Sequence, residues 1–256
     1  MRITRIARER THTLRFLDEI RGFAPVFLDT EIDMTGVLAH RDEYRADGRR
    51  LSIVTYLLHA AANTLAEHPE ANAAVRGPRV ARYGSVNGKL TLDKTLNGHR
   101  IVLATVLPDV QDATLEEIQE HIEQFRDGDP ATQPEFAAVR LLHRLPWPLA
   151  PLLYRLGVRP LSRRPETMGT FAVTSLGHRP VDGFYSVGGT TVTFGLGRIT
   201  DRPVARAGQV VIAPVMRLCL TFDHRVIDGA EAADVLTEVK DRMEAFAPAR
   251  VLAAVQ

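Results

Sequence analysis

Between Met216 and Phe246 the apolar residues change period, and this change restricts the fold more than any other feature of the chain. Met216, Leu218, Leu220 and Phe222 alternate with Arg217, Cys219 and Thr221, the two-residue repeat of a strand with one apolar face. Past Asp228, the apolar positions Ala233, Leu236, Val239, Met243 and Phe246 fall at helical spacing. His224 lies on the few residues that join the two patterns. Short strand-to-helix connections of this kind often carry reactive groups, because a rigid scaffold presents them to solvent.

The same patterning extends along the chain. In "APVFLDTEIDMT", Val26, Leu28, Thr30 and Ile32 alternate with Phe27, Asp29, Glu31 and Asp33, which predicts a strand; a short helix follows from Thr35 to about Tyr44. "SIVTYLLHAAANTLAEHPE" predicts a buried helix, with Ser52 as N-cap and Pro69 as its stop. From Arg79 to Leu107 the pattern is β, with Asn87-Gly88 as the expected hairpin turn. Thr114 and Glu117 form a capping box ahead of a helix whose apolar stripe is Leu115, Ile118, Ile122 and Phe125. Residues 134–165 read as two short amphipathic helices broken at "PWP", with six arginines and the only tryptophan, Trp147. Strands return in "GTFAVTSLG" and "GGTTVTFGLGRI". Helices and strands mix without strict βαβ alternation, so the expected class is α+β, a mixed-sheet two-layer sandwich. Residues 1–256 are read as one domain carrying a basic helical insertion at about 134–165.

Composition removes several classes of function. The formal net charge of +1 gives no bulk basicity for nucleic acid. The arginine-rich N-terminus lacks the apolar core of a secretory signal. The longest strongly apolar uncharged run, residues 145–154, is too short to cross a bilayer. One cysteine excludes an internal disulfide and a cysteine-based zinc cluster, and the nine histidines show no metal-ligand spacing. The expectation is a cytoplasmic protein without a metal site and without a transmembrane segment.

The stretch "LTFDHRVIDGAEAADVL" resembles the His-x-x-x-Asp-Gly signature of the catalytic domain of 2-oxoacid dehydrogenase acyltransferases, members of the chloramphenicol-acetyltransferase-like superfamily. Other stretches resemble that family in the same order. "FLDTEIDMT" is similar to its first strand, "SIVTYLLHAAANTLAEHPEANA" to its main helix and "DATLEEIQEHI" to a later helix. "GTFAVTSLG" resembles its Gly-x-Phe-Thr-Ile-Ser-Asn-Leu-Gly stretch, and "TTVTFGLGRI" the strand that follows. The resemblance covers residues 6–246. The sequence departs from the family at "HRIVLATVLPDV", where the family reads Gly-Leu-x-x-Pro-Val, and in the longer insertion around Trp147. No lipoyl or peripheral-subunit-binding stretch precedes the region of resemblance, so a stand-alone form is expected.

The resemblance implies acyl transfer between a thioester and a thiol. His224 matches the general base, whose imidazole has a proton affinity suited to neutral pH. Aligning Phe171 with the family's phenylalanine puts Thr174 at the hydroxyl that stabilises the oxyanion, with Ser175 on the opposite face. Asp228 matches an aspartate that supports the site through an ion pair with an arginine; Arg5 and Arg8 are both candidates. Locally, Asp228 and Glu231 also have capping-box spacing, and Gly229 suits close packing at the helix start. The implied acyl source is coenzyme A or acyl-CoA, with a lipoyl group only if another chain supplies it. The implied assembly is a homotrimer with active sites between subunits, with a larger cage left open, and the implied partner is an acyl-carrier or lipoyl protein. The arginines of the insertion suit coenzyme phosphates, an acidic carrier or anionic lipid, and equally the solvated basic face of an amphipathic hairpin packed on the domain; of the functional uses, the expected one is a docking face for a carrier. The alternative to an enzyme is a non-catalytic scaffold that keeps the fold. Two local patterns carry less. Cys219 reads as a small apolar residue on a sheet rather than a nucleophile, and Gly195-Leu-Gly197 is only half of a dinucleotide fingerprint.

Overall fold

The computed structural model describes residues 1, 3–4, 6–145 and 149–247. The chain starts with helix α1 (Thr11–Ile20), strand β1 (Pro25–Asp33) and helices α2 (Thr35–Ala46) and α3 (Ile53–Glu67). Strands β2 (Ala73–Arg76), β3 (Arg79–Arg82), β4 (Gly88–Leu96) and β5 (His99–Leu107) follow. Four helices come next: α4 (Leu115–Asp127), α5 (Ala137–Arg144), α6 (Ala150–Val158) and α7 (Arg164–Thr167). The chain then forms β6 (Phe171–Ser175), β7 (Val192–Arg206), β8 (Gln209–Asp223) and α8 (Gly229–Glu244).

Six strands make one mixed sheet in the order β1-β8-β7-β6-β4-β5, and β2 with β3 makes a small separate hairpin. Strand β6 runs parallel to both of its neighbours, and the remaining pairs are antiparallel. One sheet face presents Leu90, Phe171, Val173, Phe194, Leu218, Leu220 and Phe222 to the core shared with α3 and α8. Helix α3 starts as expected: Ser52 accepts a hydrogen bond from the Thr55 amide at 3.2 Å, a cap worth about 1 kcal/mol. Helix α4 starts on a complete capping box between Thr114 and Glu117.

The other face of the sheet differs from its reading as the polar side of β8. Cys219 and Thr221 are as buried as their apolar neighbours. The reason is a segment, residues 177–190, that lies back over this face. It comes so close that a Cβ on Gly195 would sit 1.7 Å from the Phe184 carbonyl oxygen, and one on Gly197 2.0 Å from that of Asp182. These two glycines therefore serve backbone contact, not nucleotide binding. Phe16 of α1 covers the same face near Lys89.

The hairpin turn falls ten residues later than expected. Asn97 and Gly98, with φ of 50° and 76°, join β4 to β5, as a two-residue turn with both central φ positive requires. Asn87 instead ties together three segments. Its carbonyl accepts from the Thr170 amide at 2.8 Å, and its side chain donates to the Pro165 carbonyl at 3.0 Å and accepts from the Asp109 amide at 3.2 Å. In α8 the buried stripe is Ala232, Val235, Leu236, Val239 and Met243; Ala233 faces out.

The insertion forms the two expected short helices, α5 and α6; Pro146, Trp147 and Pro148 lie outside the described residues. Helix α6 exposes Leu149, Leu152, Leu153 and Leu156 along one side. Among the described residues no helix is long and apolar enough to cross a membrane.

Candidate active site

Strand β8 ends at Asp223, and helix α8 starts at Gly229. The turn between them is held by two sets of backbone contacts. The His224 amide donates to the Ala24 carbonyl at 2.9 Å, and the Val226 amide to the Asp223 carbonyl at 2.9 Å. The Asp223 side chain, 2% exposed, does more. Its carboxylate accepts from the Ala24 amide at 3.3 Å, the Arg225 amide at 3.2 Å and the Arg225 Nε at 2.8 Å. A buried carboxylate satisfied by several donors is rigid, because moving it leaves a charge unsolvated. The sequence reading did not single out Asp223 or Arg225. The signal was available: an aspartate continuing a buried strand, two residues before an arginine.

On this frame His224 keeps 47% of its side chain exposed. Its ring packs beside Phe222, with centroids 5.5 Å apart. Nδ1 lies 3.4 Å from Asp228 Oδ1. A proton on Nδ1, facing that carboxylate, leaves the Nε2 lone pair as the acceptor.

Two expectations about this corner are corrected, the cap at Asp228 and the packing at Gly229. Asp228 occupies the N-cap position but makes no side-chain cap hydrogen bond. Its carboxylate turns to His224, and Glu231 turns to His68, which bridges Glu231 at 2.8 Å and Glu238 at 2.9 Å. Among the described residues Asp228 pairs with no arginine: Arg8 lies in the 3-10 turn beside β5, at the far edge of the sheet. Arg5 lies outside the described residues. Around Gly229 no atom lies within 4 Å of where a Cβ would be, so close packing does not explain the glycine.

Thr174 sits on β6, on the face away from the α3–α8 core, and its Oγ1 is 2.9 Å from Thr91 Oγ1 on β4. Ser175 falls on the other face, as the strand period requires. The ladder fixes how far Thr174 is from His224. Thr174 is level with Gly195 and Cys219, and Cys219 precedes His224 by five residues. At strand spacing this is about 17 Å along the sheet and about 10 Å across it. Within one chain the two side chains cannot meet at a single reacting carbon. Cys219 is enclosed by Gly183 and Arg217, and burial pushes its thiol pKa up, which suits the apolar reading.

Lys89 is a further residue that sequence reasoning missed. It neighbours Ala172 on the Thr174 face, donates from Nζ to the Gly188 carbonyl at 2.6 Å, and lies 4.7 Å from the Phe16 ring centroid. Burial, with Arg164 nearby, pushes its pKa down to about 7.

A mixed six-stranded sheet, a helical layer on one face, and a strand that ends in a histidine before a helix define the class of chloramphenicol-acetyltransferase-like folds. A solved chloramphenicol acetyltransferase superposes with a TM-score of 0.52 at 16% identity, over 95% of this chain and 98% of its own. The cubic core of a pyruvate dehydrogenase multienzyme complex superposes better, at a TM-score of 0.74 and 19% identity over 100% and 94%. The family model described as 2-oxoacid dehydrogenases acyltransferase (catalytic domain) matches residues 4–129 and 159–253, and the chain belongs to this family. The intervening residues, 130–158, contain most of the helical insertion.

Among curated relatives, the succinyltransferase component of the 2-oxoglutarate dehydrogenase complex of Azotobacter vinelandii is 28% identical over 251 residues, 93% of this chain and 53% of its own length. The acetyltransferase component of the pyruvate dehydrogenase complex of Bacillus subtilis is 26% identical over 225 residues, 84% of this chain and 43% of its own. The chain thus spans about half the length of these relatives.

Proposed function

We propose that this chain transfers acyl groups between a coenzyme A thioester and a thiol, such as a dihydrolipoyl group carried by another protein. The observation that carries the proposal is the presentation of His224. Its backbone amide is held by the Ala24 carbonyl in a turn braced by the buried Asp223, its Nδ1 is set against Asp228, and its Nε2 has no hydrogen-bond partner among the described residues. This is what a general base for a thiol needs.

The steps balance as follows. Nε2 of His224 takes the proton of the acceptor thiol as its sulfur attacks the thioester carbonyl carbon. The carbonyl oxygen becomes an oxyanion, stabilised by the Thr174 hydroxyl. The intermediate collapses, the carbon–sulfur bond to coenzyme A breaks, and the departing thiolate takes the proton from His224. Asp228 and Asp223 act through His224, by orienting its ring and holding its backbone.

Because Thr174 and His224 stand about 20 Å apart in one chain, the site forms between protomers, His224 from one meeting Thr174 of the next in a homotrimer. The far part of the β7–β8 hairpin supports association. It projects beyond the end of β1, pairs only with itself, and exposes Val210 and Ile212. The chain acts as one catalytic domain, and its insertion is the docking face for a lipoyl- or acyl-carrier protein. Between Glu135 and Glu166 it carries six arginines and no acidic residue, beside the leucine side of α6.

The test is transfer from acetyl-CoA and succinyl-CoA to dihydrolipoamide, followed by mass spectrometry, for the wild type and His224→Ala. The variant should fold normally and turn over about 10²-fold or more slowly. A variant with near wild-type turnover would falsify the role of His224.

A further inference from the structure

Helix α5 belongs to residues 130–158, outside the family match, and it packs on α1. The insertion is anchored at both ends. At its start Phe136 is buried against Phe125, with ring centroids 5.3 Å apart; at its end Arg159 Nε is 3.0 Å from Glu19 Oε2. Between these anchors stand two imidazoles in series. Nε2 of His143 on α5 is 3.0 Å from Nδ1 of His12 on α1, and Nε2 of His12 is 2.9 Å from the Val102 carbonyl oxygen on the edge strand β5. Among the described residues α5 makes no other side-chain hydrogen bond to α1 or to the sheet: Arg140 donates to the carbonyls of Pro130 and Gln133, in the connection before it. The Val102 carbonyl can only accept, so His12 carries a proton on Nε2, and its Nδ1 is a lone pair. Thr13 Oγ1, 3.3 Å away, is a second acceptor for that proton. His143 must then donate from Nε2. In the neutral pair each ring has one proton, and each hydrogen bond has one donor and one acceptor.

A first added proton goes to Nδ1 of His143 and reverses no hydrogen bond, but it places a charge in a half-buried contact. A second, on Nδ1 of His12, sets two N–H donors against each other. The neighbours give these charges little support. Glu9, in the turn before α1, attracts His143, but its carboxylate already accepts from Asn97 at 3.0 Å, and Arg10 in the same turn repels His12. On β5, His99 lies 3.9 Å from Glu9, and Arg100 pairs with Asp93. On α5, exposed Arg144 adds positive charge beside His143. We propose that the His12–His143 pair is an acid-sensitive clasp: with both rings neutral it holds α5 on α1, and protonation of the pair releases the helix. The proton affinities agree with this sign. Burial pushes both pKa values below the usual 6.5, with Arg10 acting the same way on His12, and His12 on His143. The stabilisation from the clasp is therefore complete above that value and lost as pH falls below it toward the folded values. Release loosens the insertion, so docking of a carrier there becomes pH-dependent; that consequence rests on the reading of the insertion given above, and the clasp does not.

The experiment is hydrogen exchange of the whole chain at pH 7.5 and pH 5.5, read by mass spectrometry and corrected for the intrinsic pH dependence of exchange. An opening that takes up one or two protons becomes about ten- to a hundredfold more frequent between these values. Protection of the α5 amides should fall by that factor, while that of the buried helix α3 stays unchanged. His143→Gln should keep α5 protected at both values, with a fall below about threefold, because the glutamine amide offers a donor to neutral His12 and an acceptor to protonated His12. A second measurement needs no variant: in an imidazole NMR titration of the wild type, both rings should titrate below 6.5. Protection of α5 that falls no more than that of α3 overturns the proposal. So does a full pH dependence in folded His143→Gln, or a ring of the pair that titrates above 6.5. None of these readouts involves acyl transfer, so the clasp stands or falls apart from the activity of the chain.

Discussion

Replacing Asp223 by alanine tests the frame on which the proposed base is mounted, and its cost follows from the contacts. The change removes the acceptor for two backbone amides, Ala24 at 3.3 Å and Arg225 at 3.2 Å, and for the Arg225 guanidinium. An amide left without a partner in a fully buried site costs about 1–3 kcal/mol, and these two lie in a partly buried one. At these lengths the lower part of that range applies, about 1–1.5 kcal/mol each. Arg225 keeps 39% of its side chain exposed, so it resolvates, and its loss adds about 0.5–1 kcal/mol. The sum is about 3 kcal/mol, or a drop of about 6–12 °C in melting temperature for a chain of this size. Asp223→Asn keeps the shape and one acceptor oxygen, so it should cost about half as much. Urea unfolding at pH 7 gives the stabilities, and acyl transfer measured where both variants are fully folded gives the effect on the site. Turnover should fall in both, because the His224 amide and the Asp223 carboxylate grip the same residue, Ala24. If Asp223→Ala lies within 1 kcal/mol of the wild type, the buried carboxylate does not organise the turn.

Thr174→Val should cost about 3 kcal/mol of transition-state stabilisation with little change in substrate binding, and Ser175→Ala much less; reversed effects in steady-state kinetics would place the oxyanion donor on the other face of β6. His68 works against its burial: hydrogen bonds and charge from Glu238 and Glu231 raise its pKa above the usual 6.5. Its stabilisation is therefore complete below that value and lost as pH rises through the folded value. His68→Gln should be less stable than the wild type by about 1 kcal/mol at pH 6, with the gap closing by pH 9 in denaturant titrations; a gap that widens with pH would contradict the bridge. Lys89 has the opposite sign. Its folded value of about 7 lies below the usual 10.5, so its destabilising effect is full below pH 7 and disappears as pH rises toward 10.5. Lys89→Met should gain about 2–4 kcal/mol at pH 7 and progressively less at higher pH; a loss of stability at pH 7 would show that the Gly188 and Phe16 contacts outweigh desolvation.

What was legible in the sequence was local. Ser52, Thr114 with Glu117, and the two-residue period through Phe222 each specify their element from neighbouring residues, and each appears as expected. Asn87 and Asn97 show the limit. Both precede glycine, and only tertiary contacts with Thr170, Pro165 and Asp109 take Asn87 away from a turn. The covered second face of β8 was hidden for the same reason: residues 177–190 have no periodic signal, and their path over Gly195 and Gly197 appears only in three dimensions. At the site, the spacing of His224 and Asp228 places them together. Asp228 and Glu231 have capping-box spacing as well, but the cap loses to His224 and to His68, which lies 163 residues from Glu231 in sequence. No local pattern reports a partner that distant.

The central claim is that acyl transfer takes place between protomers, with His224 of one and Thr174 of the next. Co-assembly of His224→Ala with Thr174→Val tests it most directly. Each variant alone should be nearly inactive. Unfolded and refolded together in equal amounts, they form mixed trimers in which about a quarter of the interfaces pair an intact His224 with an intact Thr174. The account predicts recovery of about a quarter of wild-type turnover. Mixed trimers no more active than the two parents added together would contradict it.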